Sequence, residues 1–166
     1  MIILIRVLHG MDDAKVKPPS LEQIVVYQEA VRQRHPMLQN VWCTMDGIKL
    51  LLECAGDEEV QNQFYNGWTC DHYVSAVLVF CPKGTIHICC HNVPDTVHDS
   101  KIALIGKVYE KLSNIYTLSG GHCTVDSAFA KNDYPFLIKS QKPTVDMTAD
   151  DIDIGQESAI FSTLRY

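Results

Sequence analysis

The sequence predicts an α/β domain, a β-sheet with helices packed on it. Three observations lead there. Apolar, strand-like runs occupy 40–46, 47–54, 72–81 and 86–93. Segment 100–116 then changes period, with Ile102, Ile105, Val108, Leu112 and Ile115 recurring at helical spacing. A further short strand-like run follows at 122–126, with no internal repeat, low-complexity tract or clear linker anywhere in the chain. A length of 166 residues suits one domain able to bury a real core.

The pattern of residues 1–9 fits a strand and a buried helical piece equally well, and DDAKVKPPS (12–20) reads as a loop. Ser20 stands where an N-cap belongs for the helix LEQIVVYQEAVRQRH, in which Leu21, Ile24, Val25, Gln28 and Val31 fall near one face. Pro36 ends it. NVWCTMD (40–46) reads as a strand ending in Asp46, and GIKLLLEC (47–54) as a second strand after Gly47. AGDEEVQNQFYNGWT (55–69) reads as a loop with a polar face. HYVSAVLVFC (72–81) and IHICCHNV (86–93) are strands joined by the hairpin turn PKGT, whose Gly tolerates positive φ. Gly120 and Gly121 close the helical segment. HCTVD (122–126) is a strand ending in Asp126, and PFLIKS (135–140) a further short one. QKPTVDMTADDID is polar and turn-rich, and IGQESAIFSTLRY has the pattern of a weak terminal helix.

Hydrophobic content of 46% and charged content of 20% are ordinary for a soluble globular chain. With a net charge of -6, the domain is not by itself a duplex-binding surface, because phosphate contacts require clustered Lys and Arg. Any such contacts are few, local, or supplied by another part or subunit. The nearest basic cluster, RQRH, sits at a helix end, where it suits the dipole. The seven cysteines, Cys43, Cys54, Cys70, Cys81, Cys89, Cys90 and Cys123, are odd in number and show no CxxC spacing. Several fall in apolar strand-like runs, where a free Cys acts as a small buried hydrophobe. This argues for a reducing, intracellular setting. The start MIILIRVLHG lacks a basic n-region and a small-residue cleavage site, and no apolar run reaches the length of a membrane span.

Three acids share a topological place. Asp46 ends one strand, Asp126 ends another, and Asp99 opens the helix that follows NVPDTVHDS (92–100). Acids at strand ends and helix starts converge at the edge of mixed sheets, where α/β sites gather. A carboxylate cluster is costly unless a cation neutralises it, and hard oxygen ligands select Mg²⁺ or Mn²⁺. Such ions suit phosphodiester cleavage. The plainer reading makes the same residues caps and turns: Asp95 in a turn after Pro94, Asp99 or Ser100 as helix cap. The His and Cys residues at 70–72, 87–91 and 122–123 lack the paired-knuckle spacing of a zinc site. No Cys has the setting of a nucleophile, and SGGH (119–122) lacks the Lys of a phosphate-binding loop.

The wording around the acids is more specific. WCTMDGIKL, FYNGWTCDHYV, PKGTI, NVPDTVHDSKIA and GGHCTVDSAF, in that order, resemble the DDE superfamily endonuclease domain of Harbinger-type transposases and their domesticated relatives. The resemblance spans about residues 38–140 and implies an RNase H-like fold, a mixed sheet flanked by helices. It implies that Asp46, Asp99 and Asp126 are catalytic and metal-binding, with Mg²⁺ or Mn²⁺ as cofactor and DNA as substrate. It further implies a homo-oligomer or DNA-binding partner protein, no membrane, and a nuclear location. His98 would at most support the centre from beside it, and reads equally well as a turn residue facing solvent; Tyr73 and Trp68 read mainly as packing residues, with substrate contact second. Four departures matter. The family's Glu belongs to an RxxxE-like pattern, whereas Asp153 stands four residues before Glu157, the one candidate. PGS has become PDT, which adds Asp95, and DGT has become DGI. No helix-turn-helix segment precedes the domain. The expected organisation is a helical lead-in at 1–37 and an endonuclease-like domain at 38–166, incomplete at its C-terminus. The expected function is a transposase-derived, divalent-metal-dependent DNA endonuclease. The alternative is a catalytically inactive transposase remnant, a decayed fragment or one serving as a binding module.

Overall fold

The computed structural model describes residue 8 and residues 10–53, 57–129 and 134–139. The expected terminal helix with Glu157, the polar loop before it and Cys54 lie outside the described residues. Among the described residues six strands occur: β1 (Val41–Leu51), β2 (Tyr65–Asn66), β3 (Asp71–Phe80), β4 (Ile86–Pro94), β5 (His122–Val125) and β6 (Leu137–Lys139). With them are the α-helices α1 (Leu21–Arg34), α2 (Glu58–Phe64), α3 (Asp99–Ile105) and α4 (Val108–Ser119). The sheet runs β4-β3-β1-β5-β6, with β2 paired to the first residues of β3. Strands β1, β3 and β4 are antiparallel neighbours, while β5 lies parallel to β1 and β6 parallel to β5. This mixed sheet flanked by helices is an RNase H-like fold.

Local signals account for most of the boundaries. Ser20 caps α1 in a reciprocal box with Gln23: Gln23 N–H donates to Ser20 Oγ at 3.2 Å, and Ser20 N–H to Gln23 Oε1 at 2.9 Å. The β3–β4 hairpin turns on Gly84 at φ +81, whose N–H donates to the Cys81 carbonyl at 2.8 Å. Gly120, at φ +65, ends α4 by donating to Tyr116 O at 2.7 Å.

Four expectations are corrected. Residues 40–46 and 47–54 do not form two strands; β1 runs through Gly47, because Asp46, Gly47 and Ile48 pair without a break with Leu78, Val77 and Ala76. The expected loop at 55–69 contains α2, started by Asp57, whose Oδ1 accepts from Glu59 N–H at 2.9 Å and Val60 N–H at 3.2 Å. The helix expected at 100–116 is two helices. Gly106 approaches β4 so closely that a Cβ there would collide with Cys90, and Lys107 turns left-handed at φ 53. Ile105, at that break, is therefore exposed. On α1 the buried stripe is Ile24, Tyr27 and Val31, while Leu21 and Val25 face outward.

The core sits between the sheet and its helices. Trp42 and Met45 of β1 and Val77 and Val79 of β3 are fully enclosed with Ile102, Val108 and Leu112. Cys43, Cys81 and Cys123 fill this core as small hydrophobes, and the six described cysteines are free thiols. Beyond Met45 the strand emerges, and Ile48 to Leu51 are exposed. Trp68, expected as packing, is instead 94% exposed on the turn between β2 and β3. Its backbone N–H donates to Asn66 Oδ1 at 2.9 Å and closes that turn. Tyr73 is half-buried. No described helix is long and apolar enough to cross a membrane.

Leu112 is 2% exposed and central to the packing of α4. Leu112→Ala is expected to lower unfolding free energy by about 2–5 kcal/mol, read from the midpoint of urea denaturation at unchanged slope.

Candidate active site

The site is built outward from β1. Met45 is the last fully buried residue of the strand, and Asp46 follows it, partly exposed. Its Oδ1 accepts from Gly47 N–H at 2.9 Å. Met45 is in parallel register with Val125, so Asp46, within β1, stands level with Asp126, the residue just past the end of β5. Asp126 begins a turn: its Oδ1 accepts from Ala128 N–H at 2.9 Å, and its carbonyl from Phe129 N–H at 3.3 Å. Phe129, 2% exposed, anchors that turn in the core.

Asp99 comes from the other side. It is the first residue of α3, and the cap is neither Asp99 nor Ser100 but His98. The His98 Nδ1 accepts from Ser100 N–H at 3.3 Å and lies 3.0 Å from Ser100 Oγ. With His98 as the cap, the Asp99 carboxylate lies against Gly47. A Cβ at Gly47 would stand 2.6 Å from Asp99 Cγ and 2.9 Å from Oδ1, so only a glycine admits this approach. Strand alternation sends the Asp46 Cβ to the opposite face from Gly47. Asp99 thus packs on the Gly47 face, and Asp46 departs from the other.

Charge follows this arrangement. Burial pushes the Asp99 carboxyl above its ordinary range; His98 and Lys49 pull it down, while Asp126 and Asp95 push it further up. Asp99 and Asp126 are therefore within electrostatic reach of each other. Among the described residues, no group of three or more His, Cys, Asp or Glu is arranged to hold a metal ion. The structure brings Asp99 against the residue next to Asp46 and into the field of Asp126 without gathering three carboxylates about one point.

Asp95 was read as a turn residue, and the turn is present, with Val97 N–H donating to Pro94 O at 3.0 Å. The Asp95 side chain, however, points inward and is 1% exposed. Its Oδ1 accepts from Ser75 Oγ at 2.6 Å, and its Oδ2 from Lys49 Nζ at 2.9 Å and from Asn66 Nδ2. Burial alone would raise its pKa, but these three donors outweigh burial and hold the carboxylate below its ordinary range. The signal in the sequence was the charged residue of PDT itself; its partners lie on three different strands and share no local pattern with it.

The mixed sheet and its flanking helices define the RNase H-like class of domain. The family described as DDE superfamily endonuclease matches residues 45–159, a span containing Asp46, Asp99 and Asp126. The chain belongs to this family, which implies a transposase-derived nuclease; the family generally uses a divalent metal and acts on DNA. No curated protein and no solved structure matches the chain.

The raised Asp99 pKa has a definite sign in stability. A carboxyl whose folded pKa exceeds its unfolded one disfavours the folded state once the unfolded chain ionises, so the cost is present above the ordinary value of 3.8 and absent below it. Asp99→Asn is expected to melt higher than the native chain at neutral pH, in the absence of metal. The difference should shrink as pH falls through the carboxylate range. A lower melting temperature at neutral pH would show that the Asp99 charge stabilises the fold.

Proposed function

We propose that the chain is a divalent-metal-dependent DNA endonuclease domain in which Asp46, Asp99 and Asp126 form the acidic centre for Mg²⁺ or Mn²⁺. The observation that supports it most is topological. The register of β1 with β5 brings Asp46, within β1, level with Asp126 just past the end of β5, and Asp99 lies on Gly47, the residue next to Asp46. Their donors are all hard carboxylate oxygens, the chemistry that suits these ions. A carboxylate held partly toward its neutral form by burial and by Asp126 and Asp95 gains most from a neighbouring cation. When bound, the ion supplies charge stabilisation and an activated water at a phosphodiester. Asp46 and Asp126 hold and orient the centre from the neighbouring strands β1 and β5, and Asp99 adds charge from the helix start. With a net charge of -6, further phosphate contacts come from a second copy or a DNA-binding partner. A nuclear location accompanies this reading.

The second reading, an inactive remnant that serves as a binding module, is favoured by the lack of a three-acid metal group among the described residues. One comparison separates the two. The melting temperature is measured with and without millimolar Mn²⁺ for the native chain and Asp46→Asn, alongside nicking of supercoiled plasmid. The active reading expects a rise in the native chain that Asp46→Asn abolishes; a ligand at a hundredfold excess over Kd adds about 2.7 kcal/mol. It also expects nicking that Asp46→Asn and Asp126→Asn lose. No rise and no nicking in the native chain would overturn the endonuclease reading in favour of the remnant.

A further inference from the structure

Lys49 stands two residues beyond Gly47, so alternation places both on the face of β1 where Asp99 packs. Its Nζ donates to Asp95 Oδ2 at 2.9 Å in a salt bridge with one closed and one open end: the Asp95 side chain is 1% exposed, that of Lys49 52%. Asp95 in turn is held from beneath by Ser75 of β3 and Asn66 of β2. A surface lysine ordinarily samples many rotamers on a flexible four-carbon stem. Here a buried carboxylate, itself clamped by two other strands, fixes its head. An ammonium has three donors, and Lys49 gives one to Asp95. The open side faces solvent near the acids, within electrostatic reach of Asp99.

A phosphodiester approaching Asp46, Asp99 and Asp126 meets three like charges, and a fixed cation on the same strand offsets part of that repulsion. The negative charge of Asp95 lies below the surface and is shared among three donors, so the face presented to solvent is the ammonium. We propose that Lys49, held in place by Asp95, contacts a DNA phosphate beside Asp99. Asp95 is accordingly a positioning residue that acts through Lys49. The assignment rests on the endonuclease reading and adds to it a specific contact.

The test measures binding of a short fluorescein-labelled DNA duplex by anisotropy across a salt series, with Ca²⁺ present. Loss of one phosphate contact lowers the slope of log K against log salt by about one. Lys49→Gln is expected to show that loss, and Lys49→Arg to keep the native slope. The double variant Lys49→Gln, Asp95→Asn removes both charges, so it keeps the net charge and leaves no unpaired buried carboxylate. It is expected to show the same loss, and it carries the test if the single variant melts below the assay temperature. Native binding with an unchanged slope in the double variant overturns the Lys49 assignment alone. No binding by the native chain overturns the DNA-directed reading and this assignment with it.

Discussion

Strand β1 is hydrogen-bonded along both edges, antiparallel to β3 from Thr44 to Leu51 and parallel to β5 from Val41 to Met45. That double pairing fixes the rest. The antiparallel side carries Gly47 straight through as strand despite its conformational freedom, and so leaves a bare patch of backbone on which a helix start can settle. The parallel side sets the level at which Asp126 leaves the sheet relative to Asp46. Helix α1 packs on β1 itself, and helices α3 and α4 close the core over β3 and β4, with Ile102 and Leu112 enclosed. A slip of one residue in either register would turn Lys49 away from Asp95 and put Met45 into solvent, so the hydrophobic pattern and the polar arrangement enforce each other.

Two carboxylates four residues apart show that burial raises a carboxyl pKa unless donors answer it. Asp95 is the more enclosed, yet its pKa is lowered, because Ser75, Lys49 and Asn66 all donate to it. Asp99 has its pKa raised, first by burial and then by Asp126 and Asp95, with only His98 and Lys49 opposing. The first arrangement is a closed structural network; the second is a part-buried acid facing other acids. The turn between them, from Pro94 to His98, joins the two and is pinned at one end by a buried anion and at the other by a histidine cap.

Much of the fold was legible in the sequence because its signals are local. Ser20 with Gln23, Gly84 and Gly120 each act within a few residues, and periodicity of two or of 3.6 does the same for strands and helices. The misses have tertiary causes. Gly47 looks like a boundary, but pairing on both flanks overrides it. Gly106 looks like an ordinary helix residue, but contact with Cys90 breaks the helix. The polar run before Tyr65 hides a helix because its only strong signal is the cap Asp57. For the proposed site, the ordered motifs single out three acids, yet could not say that His98 would displace Asp99 from capping, nor that Asp95 would find partners on three strands. Those facts depend on register, which no single segment records.

The two tryptophans occupy opposite extremes, Trp42 wholly enclosed and Trp68 94% exposed. Their optical properties must therefore differ within one native chain. Trp42 emits from an apolar surrounding next to the His87 ring, whereas Trp68 emits from water on a turn tied, through Asn66, to Asp95. A soluble collisional quencher reaches only the second, and loss of the core changes chiefly the first. Intrinsic emission thus carries two separable signals, one for the integrity of the sheet and one for the surroundings of the turn beside the acids.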